Sequence, residues 1–279
     1  MANTPIKLND GTTIPLLAFG TGTSHYKKDA QQLVTAAINA GFTHLDGAQV
    51  YKNEEYLGAG IAAATTPREQ LFVTTKLDRL PEGKTVRDTL VESLQKLQLD
   101  HVDLFLIHTP LLFREHPGGL KAVWKDMEVV KKEGLARSIG VSNFRPPQLR
   151  EVLEGAEFPP AVNQVKTTIR YSSLHRPPCH VNILISQIEF HPYVYKEVLP
   201  TLELQKQHGI VTASFGGLSP IFRFSGGPLD PVLTSIAKRL SDTTGKPFSE
   251  AQVLFLWQRE KGVVIVTCVV VEGAATEVS

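Results

Sequence analysis

One repetition constrains this chain more than anything else in it. Short apolar runs suited to buried strands alternate with helix-length amphipathic segments from residue 16 to residue 267. Strand-like runs fall at 16–20, 43–46, 71–76, 102–107, 137–141, one near 161–190, then 210–214 and 263–267. Helical spacing occupies 27–40, 54–64, 84–98, 118–133, 146–154, 195–207, 229–240 and 249–260. Parallel strands need a crossover of helix length, whereas antiparallel neighbours can be joined by tight turns. Eight such units, with no linker-like shift in composition, predict an α/β fold of the (β/α)8 TIM-barrel type over a single domain, residues 1–279. Ahead of the repeat, Asn9-Asp10-Gly11 supplies a turn between Ile6 and Leu17, which predicts an N-terminal β-hairpin. The rival architecture is an open doubly wound sheet, but Gly20-Thr21-Gly22-Thr23-Ser24-His25 lacks the third glycine of a dinucleotide-binding turn.

Charge narrows the partners. A net charge of +1 and a pI near 7.8 give no electrostatic case for nucleic acid or a membrane surface, so a small molecule is the expected partner. The polar segment Met1 to Gly11 lacks the apolar core of a signal peptide, and the apolar run Val263 to Val271 is too short to span a bilayer. Two cysteines make no disulfide framework, and His175, Cys179 and His180 lack a fourth ligand, so no metal is expected. A reducing, cytoplasmic setting follows as the expectation; oligomeric state is open.

In a parallel barrel the chemistry collects where strands end. Asp46 closes the second strand run, with Tyr51 at the start of the next helix; Lys76 closes the third and His108 follows the fourth, with Ser142 and Asn143 after the fifth. Singly, each strand-end Lys or His has a bland reading as an ion-pair partner. Together, Asp46, Tyr51, Lys76 and His108 suit the protonation of a carbonyl oxygen. A phenol titrates near pH 10, and an adjacent ammonium lowers that value by stabilising the phenolate. Lys76 supplies the charge, Asp46 keeps it protonated, and His108 orients the oxygen. No serine sits in a G-x-S-x-G elbow, so hydride transfer from a nicotinamide is the chemistry that calls for this set.

The motifs G-F-T-H-L-D-G-A-Q-V-Y-K-N-E at 41–54, T-T-K-L at 74–77, V-D-L-F-L-I-H-T-P at 102–110, I-G-V-S-N-F at 139–144 and Q-I-E-F-H-P-Y at 187–193 resemble those of the aldo-keto reductase superfamily. The likeness runs from about Lys7 to Thr267 with one interruption. It implies a TIM barrel that binds NADPH, with NADH also possible, and reduces an aldehyde or ketone. It maps the family's tetrad onto Asp46, Tyr51, Lys76 and His108. Ser142, Asn143 and a strand-six glutamine would hold the nicotinamide carboxamide, and Phe215 would stack on its ring. Gly20, Thr21, Ser214 and Leu218 are implied as further cofactor contacts. Substrate walls fall to His25, Tyr26, Tyr51 and the loop from Leu111 to Gly118, whereas Trp124 and Trp257 read as packing residues.

The pattern breaks twice. Val162-Asn163-Gln164 is separated from Ile188 by residues 165–187, so either Gln164 or Gln187 could take the carboxamide position. Because Gln187 leads directly into Glu189-Phe190-His191-Pro192, the preferred expectation makes Ile183 to Phe190 the sixth strand and 165–182 a surface loop. After Thr267, the tail 268–279 carries no Lys or Arg where the family grips the adenosine 2′-phosphate, which predicts a weakened preference for NADPH. The alternative expectation is therefore a catalytically impaired nicotinamide-binding barrel with a regulatory or interaction role, or an inactive product of aberrant splicing.

Overall fold

The computed structural model describes residues 5–22, 25–165 and 190–268. A two-stranded antiparallel hairpin comes first, β1 (Ile6–Lys7) with β2 (Thr13–Ile14), turned through Gly11 at φ 89°. Eight parallel strands follow: β3 (Leu17–Gly20), β4 (His44–Asp46), β5 (Phe72–Leu77), β6 (Val102–Ile107), β7 (Ala136–Ser142), β8 (Val162–Val165), β9 (Val211–Phe215) and β10 (Val264–Thr267). Pairing of β10 with both β9 and β3 closes the ring, so the doubly wound alternative is excluded. The helices are α1 (Gln31–Asn39), α2 (Glu54–Ala63), α3 (Val86–Leu97), α4 (Gly119–Lys132), α5 (Pro146–Leu153), α6 (Tyr195–Gln207), α7 (Ser219–Phe222), α8 (Asp230–Thr244) and α9 (Glu250–Glu260).

Local chemistry sets the helix ends. Thr85 and Asp88 form a capping box that starts α3, and Ser249 with Gln252 does the same for α9, each satisfying backbone donors that the first turn leaves open. Helix α1 begins at Gln31 rather than Lys27: Lys27 holds a left-handed φ of 56°, and Asp29 accepts a hydrogen bond from the Gln31 amide at 2.9 Å.

Strand parity builds two apolar layers. Leu104, Leu106, Val162, Ala213 and Val264 face the barrel interior, where Leu8 and Ile14 of the hairpin join them, so the hairpin stoppers the amino-terminal end. Their sequence neighbours Phe105, Ile107 and Ile265 face outward into the larger layer beneath the helices, with Val141, Val34, Leu90, Met127 and Trp124. Trp124 is buried and its indole N–H donates to the Phe158 carbonyl at 3.1 Å, which is the packing role its sequence position implied.

The sixth strand corrects an expectation. Val162–Val165 occupies that position, hydrogen-bonded to β7 through Val141↔Asn163 and to β9 through Val162↔Val211, so both edges are satisfied and no place remains between β7 and β9 for a strand at 183–190. Residues 183–189, Gln187 among them, lie outside the described residues, as do His175, Cys179 and His180; Phe190 is described and packs on Trp257 rather than in the sheet. Among the described residues no helix is long and apolar enough to cross a membrane, and no cluster of potential metal ligands occurs.

His44 shows what the interior does to a titratable group. Burial outweighs the pull of Asp46 and pushes its imidazole down to about 4, leaving it neutral, with Nε2 3.0 Å from the Thr74 hydroxyl. An unfolded histidine near 6.5 binds a proton that the folded one refuses, so stability is full above pH 6.5 and falls as the pH drops toward 4. The expected loss is on the order of 3 kcal/mol. Chemical denaturation of wild type and His44→Asn across pH 4–7 checks this: the wild-type slope should exceed the variant's, and parallel curves would contradict it.

Candidate active site

Inward parity brings the site together. On β4 the inward positions are His44 and Asp46, on β5 Phe72, Thr74 and Lys76, on β8 Val162 and Gln164, and on β9 Ala213 and Phe215. At the carboxyl end of the ring the Lys76 ammonium donates to Asp46 Oδ1 at 2.6 Å and to the Gly47 carbonyl at 2.8 Å. Gln164 Nε2 donates to the other carboxylate oxygen of Asp46 at 2.9 Å. Lys76 is 0% exposed, so its charge is balanced by one carboxylate in a site shielded from water.

Tyr51 closes a short 3-10 turn, Gln49–Tyr51, and does not open the next helix, which starts three residues on at Glu54. Its ring lies 5.1 Å from the Lys76 ammonium, centroid to nitrogen, and meets the His108 ring edge-on at 5.7 Å. Two amides anchor this turn. Gln49 Nε2 donates to the Thr89 carbonyl and Ser93 hydroxyl of α3, and its Oε1 accepts from the Asp78 amide. Asn53 donates to the carbonyls of Thr21 and His25. Gly22 closes the other side: a Cβ there would stand 2.8 Å from Tyr51 Cζ, so only a glycine leaves the phenol its place.

The titration of the phenol departs from the expectation. Burial raises Tyr51 above its ordinary value of 10.0; the charge of Lys76 lowers it, as foreseen, but does not outweigh burial. Lys76 itself is pulled down by burial, yet Asp46 and Tyr51 together hold it above 10.5. At neutral pH the pair is therefore a protonated phenol beside a charged ammonium.

Beyond β7, Asn143 adopts a left-handed φ of 66°, and Asn143 Nδ2 donates to the His108 carbonyl at 2.6 Å and to the Ser142 hydroxyl at 3.0 Å. Ser142 Oγ donates to the Gln164 carbonyl at 2.9 Å. The remaining atom of this knot, Asn143 Oδ1, is buried with no hydrogen-bond donor among the described residues. Such an acceptor suits an amide N–H of a ligand. A cleft of about 210 Å³ is lined by Gly20, Gly22, Asp46, Tyr51, Phe215, Leu218, Phe222, Arg223, Phe255 and Ile265 to Cys268.

The sequence pattern of the Aldo/keto reductase family matches residues 16–182. The chain belongs to the aldo/keto reductase family. It is 36% identical over 268 residues to the NAD/NADP-dependent indole-3-acetaldehyde reductase of Schizosaccharomyces pombe, covering 92% of this chain and 82% of the relative. It is 30% identical over 273 residues to the NADPH-dependent alpha-keto amide reductase of Saccharomyces cerevisiae, covering 93% and 80%. Among solved structures, an aldo/keto reductase from Brucella melitensis superposes with a TM-score of 0.76 at 28% identity, covering 99% of this chain and 92% of its own. The Bombyx mori aldo-keto reductase in complex with NADP superposes at 0.73 and 31% identity, covering 96% and 83%.

In this aldo/keto reductase, Asp46, Tyr51, Lys76 and His108 gather at one mouth with Ser142, Asn143 and Gln164, while Gly20, Phe215 and Leu218 line the cleft. Thr21 and Ser214 turn outward. Ser214 Oγ donates to Gln258 of α9 at 2.6 Å, and Thr21 is buried against the Asp46 carbonyl, so either could reach a ligand only through its backbone. Period-two counting along each strand would have separated them beforehand. Gln49, Asn53, Phe222 and Arg223 were not anticipated; for the first two, the signal was polar side chains flanking Tyr51 at 49 and 53.

Proposed function

We propose that the protein reduces the carbonyl of a small aldehyde or ketone to an alcohol with NADPH or NADH, Tyr51 serving as proton donor. One observation carries this reading: a buried ammonium, bonded to Asp46 at 2.6 Å, lies 5.1 Å from the ring of a phenol at the edge of a cleft. The relatives named for NAD/NADP- or NADPH-dependent reductases, and the silk-moth structure with NADP, support the choice of cofactor. Asn143 Oδ1, without a donor among the described residues, supports it independently, since a carboxamide would supply one. No described feature favours a barrel that binds nicotinamide without turnover, or an inactive splice product.

Ser142, Asn143 and Gln164 would hold the carboxamide, with the Phe215 ring offering a stacking face. Reduced nicotinamide, when bound, supplies the hydride to the carbonyl carbon. His108 orients the carbonyl oxygen by hydrogen bonding, and Tyr51 Oη releases its proton to that oxygen as charge builds there. The O–H bond of Tyr51 breaks as the alcohol O–H forms, and the negative charge left on the phenolate faces Lys76. Burial keeps the phenol protonated, so the ammonium acts mainly on the charge that develops during transfer rather than on the resting phenol.

Steady-state oxidation of NADPH and NADH with a generic aldehyde tests the reading, and wild-type protein that folds but turns over neither would overturn it. Lys76→Met is expected to lower kcat at least tenfold more than it raises the Kd of the cofactor, because the lost interaction is made chiefly in the transition state. Equal losses in both would contradict the role given to Lys76.

A further inference from the structure

Helix α2 carries an acid that the chemistry above leaves unused. Glu54, its first residue, is 2% exposed, and its carboxyl lies in the layer between β5, α2 and α3. Thr75 Oγ1 of β5 donates to Glu54 Oε1 at 2.7 Å, and Ser93 Oγ of α3 donates to Oε2 at 3.2 Å. Ser93 Oγ in turn accepts from Gln49 Nε2 at 3.1 Å, and Gln49 Oε1 accepts from the Asp78 amide at 2.9 Å. These bonds close a circuit. It leaves β5 at Thr75, passes through α2, α3 and the turn that ends in Tyr51, and returns to the chain at Asp78, so its two ends straddle Lys76.

Such a circuit is costly to bury. The described hydrogen-bond partners of the carboxyl are two hydroxyls and no cation, and burial raises its titration above the ordinary carboxylate value against the pull of both hydroxyls. An apolar side chain of similar size would pack between two helices and a strand without that penalty. What the polar circuit adds is direction, because hydrogen bonds hold their partners to a narrow range of distance and angle.

We propose that Glu54 is a positioning residue for carbonyl reduction, which through Ser93 and Gln49 on one side and Thr75 on the other sets the separation of the Tyr51 phenol from the Lys76 ammonium. The inference rests on the reading above that Tyr51 gives up its proton beside Lys76. The Glu54 carboxyl bonds to neither group, since Thr75 and Lys76 project to opposite faces of β5. A phenol displaced from the ammonium loses the charge that stabilises the developing phenolate, so the chemical step slows while the cofactor site stays as it was.

Single-turnover reduction of a generic aldehyde, beside calorimetric titration with NADPH, tests this in wild type, Glu54→Leu, Glu54→Gln and Ser93→Ala, with circular dichroism to check folding. Glu54→Leu fills the space without hydrogen bonds and is expected to lower the chemical rate about tenfold to a hundredfold, with the Kd for NADPH within about twofold of wild type. Glu54→Gln keeps the length and the capacity to hydrogen-bond, and should recover most of the rate. Ser93→Ala cuts the circuit between Glu54 and Gln49, and should lower the rate about fivefold, the scale of one hydrogen bond. In a Lys76→Met background, Glu54→Leu should cause almost no further loss, because no ammonium is left to be spaced from the phenol. A role in packing alone predicts the same proportional loss in both backgrounds, and that result would overturn the assignment. So would a folded Glu54→Leu that keeps the wild-type rate, or one that loses rate and cofactor affinity equally. Should Glu54→Leu not fold, Ser93→Ala decides in its place, an unchanged rate counting against the assignment. Wild-type protein without turnover would instead overturn the reduction reading, and this assignment with it.

Discussion

Tyr51→Phe is expected to lower kcat by about a hundredfold to ten-thousandfold while leaving the Kd for NADPH within a few-fold of wild type. The change removes one oxygen and keeps the ring, so the edge contact with His108 and the packing on Gly22 survive. What disappears is the O–H that the carbonyl oxygen must draw on. Single-turnover kinetics beside cofactor titration separate the two effects. A variant that retains wild-type turnover would remove the phenol from the mechanism, and one that loses cofactor binding in proportion would reassign Tyr51 to the binding site. The pH profile adds a second reading. Because burial holds the phenol above its ordinary 10.0, the protonated form persists through neutral pH, and reduction should decline only as the pH climbs through that raised value.

Asp46→Ala should cost the fold more than most single changes, about 3–5 kcal/mol or roughly ten degrees in Tm. It strands the Lys76 ammonium, 0% exposed, with no carboxylate beside it and only the neutral Gly47 carbonyl and Tyr51 phenol as described partners, and it also removes the acceptor of Gln164 Nε2. The double variant Asp46→Ala/Lys76→Met should recover part of the loss, since the stranded charge goes too. Thermal melts of the three proteins decide it: a single variant as stable as wild type, or a double variant no better than the single, would refute the account. The sign with pH follows from Lys76, which burial lowers but Asp46 and Tyr51 raise further. Its raised value means the pair's contribution is fully present below the ordinary lysine value of 10.5 and is lost as the pH rises through the folded one.

Much of this was open to reading from residues alone. The alternation of strand and helix periods located seven of the eight barrel strands to within a residue, because a buried strand and its covering helix each impose a period on sequence. Asp46, Lys76 and His108 were legible as strand-end groups for the same reason. The sixth strand was not. Val162-Asn163-Gln164 and Ile183 to Phe190 are both plausible short strands, and local pattern carries no term for which of them completes hydrogen bonds on both sides; the pairings of Val162–Val165 with β7 and β9 supply it.

By itself, then, the sequence determined the closed α/β architecture, the strand-end positions of Asp46, Lys76 and His108, and the family, since each depends on local periodicity or on contiguous motifs. Only the tertiary structure decided that Gln164 is the glutamine against Asp46, that Thr21 and Ser214 face outward, that burial outweighs Lys76 in setting the state of Tyr51, and that Phe222 and Arg223 share a cleft with residues more than a hundred positions away. The physical reason is common to all four. Burial, field and hydrogen-bond partnership are properties of three-dimensional neighbours, and barrel closure chooses those neighbours across distances along the chain that no local pattern spans.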